Sequence, residues 1–426
     1  MERIECSNIK EKAYIEKLEN GMKVIIIPKT NLDKKYVIWG THFGSIDNRF
    51  IMPGTNEEVF IPDGVAHFLE HKMFEQPDGT NSLDTLMALG LDANAYTTND
   101  HTAYLFECAD NFYEGLNELM DYVQHPYFTD ENVEKEKGII AQEIKMYDDE
   151  PEWRLYMNAM DCMYKENPIK IDIAGSVESI SEITPDVLYK CYNTFYNPSN
   201  MTMVLCGNFE PEKILEEVKN RLIQKPEQGE IKRIYPPKEN AINMPYKETK
   251  MEVSTPIFAI GYKDMAEEKN TKDLVRKHIA IEILLNMIIG KSSDTYKELY
   301  EDGTLLAKPS MDYEFSSEYA HVLITGKSKD PQKVKEKIEQ IIEKYKKEGL
   351  NKERFDRIRK KVYGDYVVEY NSVSDIARMF LADSMKGINS FDYIEEYNTV
   401  TKEYAEDVLK NVFKSDNLVM SVIKSK

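Results

Sequence analysis

His67-Phe68-Leu69-Glu70-His71 brings two imidazoles and a carboxylate within five consecutive residues. On a helix His67 and His71 project about 40° apart, and Glu70 lies about 60° to the other side of His67, so all three share one face. Val65 and Leu69 fall nearly opposite, which lets the helix pack by its back and present that face to a site. Two neutral imidazoles at i and i+4 can reach one Zn²⁺, and a neighbouring carboxylate can act on a water held there. In a chain with 7 His, about 0.02 matches to His-x-x-acid-His are expected by chance. The alternative is a surface helix that carries these side chains by coincidence.

A second helix, from Glu131 to Tyr147 by periodicity, places Glu136, Ile139, Ile140, Glu143 and Tyr147 in one stripe about 100° wide. Glu134, Lys137, Ala141 and Lys145 occupy the other side. An unpaired buried carboxylate costs several kcal/mol, so Glu136 and Glu143 each need protonation, a cationic partner or a metal. A buried salt bridge to Lys or Arg is one explanation. The other is that Glu143 completes a His₂Glu zinc site whose fourth position is left to water, with Glu136 behind it orienting a ligand.

These helices need a scaffold. Short β-branched runs at 22–27 and 36–40 read as strands, 64–74 and 81–90 as helices, and Asn94 to Phe106 alternates like a strand. Helical stretches follow at about 110–123, 130–148 and from 151, then a strand at 201–206 and a helix at 210–222. Residues 224–247 are polar, contain Pro and lack periodicity, which marks a linker. Strands near 257–261, 307–326 and 418–423 alternate with helices at 273–289, at 331–348 and from 352. Both halves share the order of strands and helices, so the expectation is two α+β domains of similar build, 1–223 and 248–426.

The chain has 426 residues, and 75 Asp+Glu against 55 Lys+Arg give a net charge of −20. An acidic surface makes nucleic acid and anionic membrane poor partners. The five cysteines, Cys6, Cys108, Cys162, Cys191 and Cys206, have no disulfide-framework spacing and read as reduced thiols. The N-terminus lacks a secretory pattern and no apolar run approaches the length of a membrane span, so the expected location is cytoplasmic. The other histidines, His42, His101, His125, His278 and His321, have no ligand-like neighbours at helical spacing.

The H-x-x-E-H of residues 67–71, followed by the E-x₆-E of Glu136 and Glu143, resembles the pitrilysin family of inverzincin metallopeptidases, which includes insulin-degrading enzyme and the mitochondrial processing peptidase. The likeness extends to Gly90-Leu91-Asp92-Ala93-Asn94-Ala95-Tyr96-Thr97-Thr98, to Ile173–Ile180 and to Tyr196–Met201, and is most specific over 20–215. It implies a short, two-domain member of the family. Each domain would be an α/β roll, a largely antiparallel sheet packed with helices, and the two together would form half of a clamshell. The resemblance implies one Zn²⁺ per chain on His67, His71 and Glu143, Glu70 as general base, and Glu136 as an accessory catalytic carboxylate. Asn94, Ala95, Tyr96 and Thr97 would bind an extended peptide by strand addition.

Two departures from the family pattern are present. The interval between His71 and Glu143 is a few residues shorter than is usual, which implies a shorter loop. Where active members carry an Arg and a Tyr seven residues apart, this chain has Tyr300 and Ala307. Those residues stabilise the oxyanion, so the resemblance implies that a homologous subunit supplies them, in a heterodimer or else a homodimer. The expected activity is zinc-dependent cleavage of short or unfolded peptides, leader or precursor peptides among them. The alternative is a non-catalytic structural or peptide-binding subunit on the same fold.

Overall fold

The computed structural model describes residues 1–265 and 268–426. The N-terminal half opens with strands β1 (Glu2–Cys6), β2 (Glu11–Lys17), β3 (Lys23–Pro28), β4 (Lys35–Thr41), β5 (Arg49–Ile51) and β6 (Glu58–Phe60). Helices α1 (Val65–Lys72) and α2 (Ser82–Ala88) lead to a hairpin of β7 (Asp92–Thr97) and β8 (Thr102–Cys108). Then come α3 (Phe112–Gln124), α4 (Asp130–Asp148), α5 (Pro151–Met163), α6 (Val177–Ser181), α7 (Pro185–Phe195), β9 (Met201–Gly207), α8 (Pro211–Arg221) and β10 (Lys232–Arg233). The C-terminal half holds β11 (Tyr246–Met251), β12 (Ile257–Lys263), α9 (Thr271–Ile288), α10 (Asp294–Glu301), β13 (Ser310–Phe315) and β14 (Ala320–Lys327). It ends with α11 (Pro331–Glu348), α12 (Lys352–Glu369), α13 (Val373–Met385), α14 (Asp392–Glu396), α15 (Lys402–Val412) and β15 (Leu418–Ser425).

The α+β class expected from the sequence is observed. The run from Asn94 to Phe106 is not one strand but two, because Thr98 Oγ1 accepts from the backbone N–H groups of Asp100 and His101 and turns the chain. The residues at the turn, Thr98-Asn99-Asp100-His101, are four consecutive polar side chains, a turn signal that a reading by alternation passes over.

The chain divides into two compact units. The first comprises 1–144, 171–235 and 368–391; the second comprises 145–170, 236–367 and 392–426. This differs from a linear division at 224–247 in two segments, since α5 belongs with the second unit and α13 with the first. The polar stretch is itself shared, because β10 pairs with β5 and the change of unit falls after Tyr235.

In the first unit a seven-stranded sheet runs β1-β2-β3-β9-β4-β8-β7, antiparallel except for the β3/β9 pair. Strand β7 is one edge of this sheet and β1 the other. One face carries Val24, Val37, Trp39, Met203 and Phe106 into a core closed by α1, α3, α4, α7 and α8. Helix α13 covers the other face over β4 and β9. Gly40 in β4 makes that approach possible, since a Cβ there would lie 2.9 Å from the side chain of Leu381.

The second unit repeats the device. Its five-stranded sheet runs β11-β15-β12-β14-β13, and α5 lies on β12 and β15. Gly261 in β12 leaves room for Met163, which would sit 2.5 Å from a Cβ. Each sheet thus receives a helix from the other half of the sequence over a glycine in a central strand. All five cysteines are free and buried, and no helix among the described residues is long and apolar enough to cross a membrane.

Candidate metal centre

Helix α1 starts after Gly64, whose φ of +94° lies in the left-handed region. A Cβ on Gly64 would lie 2.4 Å from the Ala174 carbonyl oxygen, and one on Gly175 (φ +76°) 2.4 Å from the Asp63 carbonyl oxygen. The two glycines let these loops close on each other, and Ser179 Oγ donates to the Asp63 carbonyl at 2.8 Å. The first turn of α1 is thereby fixed, and with it the rotation of the helix about its axis. Val65, Phe68 and Leu69 enter the core, while His67, Glu70 and His71 turn toward α4 and β7.

His67 Nε2 lies 3.8 Å from Glu143 Oε1, and His71 Nε2 lies 3.5 Å from Glu143 Oε2. One ligand atom from each residue falls within 4.8 Å of the others, and no second such group exists among the described residues. These separations are too long for good hydrogen bonds. They approach the roughly 3.3 Å edge of a tetrahedron built on zinc–ligand bonds of about 2.0–2.1 Å. Two imidazoles and one carboxylate are also the donor set of a zinc with one open position, so the residues present fit that ion.

Behind this group, Glu136 Oε1 lies 3.1 Å from His71 Nδ1 and Glu136 Oε2 lies 3.5 Å from Lys72 Nζ. Lys72 also pairs with Glu75. The two carboxylates of the α4 stripe therefore behave differently. Glu136 has a buried lysine and a histidine, whereas the basic side chains nearest Glu143 are the two imidazoles. The stripe itself is not uniformly buried, because Ile139 is 46% exposed and faces a cleft.

Burial, reinforced by the nearby His71, holds His67 down at about 3, so its ring is neutral and a metal would find a free lone pair. For His71 burial alone would act the same way. The Glu136 hydrogen bond and the charges of Glu70, Glu136 and Glu143 outweigh it and raise the imidazole. Burial would raise Glu136 too, but His71 and Lys72 draw it below the usual carboxylate range. The Glu136 contact fixes which His71 nitrogen faces Glu143; His67 Nδ1 is buried without a hydrogen-bond partner.

Glu70 is 8% exposed. Burial raises its carboxyl, and a hydrogen bond from Thr97 Oγ1 to Oε2, 2.7 Å long, partly offsets the rise. That bond ties α1 to β7. Asn94 and Ala95 line a cleft of about 420 Å³ together with Glu70, His71, Phe74 and Ile139. Tyr96 points elsewhere, with its ring 5.2 Å from the Arg378 guanidinium and its hydroxyl 3.4 Å from His101 Nε2.

Sequence reasoning missed Lys72 and the Thr97 hydroxyl. Lys72 carried a signal, since it lies seven residues after Val65 and three after Leu69, on the helix face that packs into the core. Nothing local marked Thr97 as the partner of Glu70, because that contact spans 27 residues.

Residues 51–177 match the family described as Insulinase (Peptidase family M16), and residues 182–362 match its Peptidase M16 inactive domain. The uncharacterized zinc protease YmfH of Bacillus subtilis is 40% identical over 425 residues, 99% of each chain. The crystal structure of an M16-like peptidase from Alicyclobacillus acidocaldarius superposes with a TM-score of 0.93 at 33% identity, over 99% of this chain and 100% of that one. The periplasmic protease PqqL of Escherichia coli shares the fold with a TM-score of 0.76 at 18% identity, over 97% of this chain but 48% of its own. With that identity to YmfH sustained over nearly its whole length, the chain belongs to peptidase family M16.

Proposed function

We propose that the chain is a zinc endopeptidase acting on short or unfolded peptides, leader or precursor peptides included. The observation that carries this reading is the His67, His71 and Glu143 cluster beside the exposed edge of β7. His67 Nε2, His71 Nε2 and a Glu143 oxygen would hold the ion. Bound there, zinc supplies a Lewis acid that polarises the scissile carbonyl and makes water more acidic.

The chain's own residues do the rest. Glu70 takes a proton from the attacking water and later delivers it to the leaving amine, and burial, which raises its carboxyl, makes the carboxylate a stronger base than an exposed one. Thr97 holds Oε2, which leaves Oε1 for the transfer. A peptide added to the edge of β7 pairs main chain to main chain along Asn94, Ala95, Tyr96 and Thr97, a mode with little demand on sequence. Side chains of the added strand opposite Ala95 and Thr97 face Glu70 and His71.

The oxyanion donors are the part this chain lacks. At the positions of the family's Arg and Tyr stand Tyr300, stacked on Tyr296 with ring centroids 5.5 Å apart, and Ala307. We therefore assign the missing pair to a homologous subunit, in a heterodimer or else a homodimer. The PqqL chain, about twice as long on the same fold, supports such pairing. Free buried cysteines suit a reducing, cytoplasmic compartment. The same two positions favour a second reading, a non-catalytic peptide-binding subunit.

Zinc content and peptide cleavage of wild type and Glu70→Gln, with and without a related subunit, separate the two. Cleavage lost at least a hundredfold with zinc retained supports the peptidase. A zinc-free wild type without cleavage in any combination supports the binding subunit.

A further inference from the structure

Lys72 is fully buried, at 0% exposure, immediately beside a residue of the candidate metal cluster. A lysine in a core is tolerated only when its charge is paired. Its partners are Glu75, one turn on in sequence, and Glu136 on α4. Glu136 spends its two oxygens on two different neighbours, Oε1 at 3.1 Å from His71 Nδ1 and Oε2 at 3.5 Å from Lys72 Nζ. The carboxylate is thus clamped at both ends. Its orientation sets that of the His71 ring, whose Nε2 faces Glu143 at 3.5 Å.

Four carboxylates, Glu70, Glu75, Glu136 and Glu143, surround this small region, and Lys72 is the one lysine or arginine ion-paired to any of them among the described residues. Removing it would leave Glu75 and Glu136 repelling each other, and nothing would hold Glu136 Oε2 in place. We infer that Lys72 is a positioning residue for the metal centre, acting through Glu136 to aim His71. This rests on the reading of His71 as a zinc ligand. The role belongs to Lys72 as a buried cation on the packed face of α1, since nothing in the ligand set itself requires a lysine there.

The test measures zinc affinity of the full-length chain by competition with a chromogenic chelator, alongside melting of the zinc-free protein. Variants are Lys72→Met, Lys72→Arg, Glu136→Gln and the double variant Lys72→Met/Glu136→Gln. Lys72→Met/Glu75→Gln is added so that Glu136 is the one carboxylate left facing the vacated place, with no second carboxylate repelling it, if Lys72→Met folds poorly. Expected results are a loss of zinc affinity of about tenfold or more for Lys72→Met and for Lys72→Met/Glu75→Gln, and substantial recovery with Lys72→Arg. In the Glu136→Gln background Lys72→Met should add no further loss.

A general packing role would instead lower affinity and melting temperature equally in both backgrounds, and that outcome overturns the inference. So does a wild type that binds zinc while both lysine-free variants bind it as tightly. A wild type that takes up no zinc overturns the reading of the site itself, which keeps the two failures distinct.

Discussion

The Thr97 hydroxyl donates to Glu70 Oε2 at 2.7 Å, joining the edge strand of the sheet to the helix that carries both histidines. Strand and helix are thereby set in one register, so that a peptide added to β7, as proposed, would meet the carboxylate at a fixed depth. The contact also bears on basicity, because it opposes the rise that burial imposes on Glu70.

Thr97→Val keeps the shape of the side chain and removes the donor. It should lower kcat/KM by roughly 10–100-fold, the worth of a hydrogen bond to a charged group, while leaving zinc content unchanged. Steady-state kinetics of the complete assembly with metal analysis checks this; unchanged kcat/KM would show that Glu70 is held by other contacts.

Two glycines near the site should respond in opposite directions to alanine. Gly64→Ala forces a left-handed φ on a residue whose Cβ meets the Ala174 carbonyl, so it should cost at least about 1–3 kcal/mol and loosen the start of α1. Gly138 lies inside α4 with nothing within 4 Å of a Cβ, so Gly138→Ala should stabilise by up to about 1 kcal/mol. Denaturant titration of the zinc-free protein reads both.

Acid should weaken the second unit through Glu239. Burial alone would raise this carboxyl, but the Lys263 ammonium and the backbone N–H groups of Lys165, Glu166 and Asn167 hold it down at about 2. Lys263 is itself lowered, since its burial outweighs the attraction of Glu239. A carboxyl depressed on folding adds stability that is fully present above its ordinary value of 4.5 and is lost as pH falls toward about 2. Solvent screening limits the contribution to the order of 1 kcal/mol. Glu239→Gln should lower stability at pH 7 by that much and flatten its fall between pH 4.5 and 2, as seen in urea midpoints across that range.

The legible parts of the site are the local ones. His67, Glu70 and His71 share a face because helical geometry links residues three and four apart, and that needs no knowledge of the rest of the chain. Glu136 and Glu143 were conspicuous because carboxylates stood on an apolar stripe. The sequence offered two explanations for them, and the structure uses a lysine for Glu136 and two imidazoles for Glu143. Lys72 could have been found by the same rule, a charge on the packed face of α1.

Turns and domain limits were less legible. The β7/β8 hairpin escaped because a reading by alternation passed over the polar turn residues Thr98–His101, and the exchange of α5 and α13 escaped because an amphipathic helix records that it has an apolar face and not which sheet receives it. Gly40 and Gly261 mark the receiving places, but a strand glycine has many other causes.

By itself, then, the sequence determined the two-helix arrangement of chemistry-bearing side chains, the α+β class and the acidic character of the chain. Only the tertiary structure decided that a helix ending at Lys72 and one starting at Asp130 bring their imidazoles and carboxylates within a few ångströms, and that β7 is an edge. Periodicity reports which faces are buried, whereas the meeting of distant faces depends on how glycines such as Gly64 and Gly175 let loops close and on which strands remain unpaired.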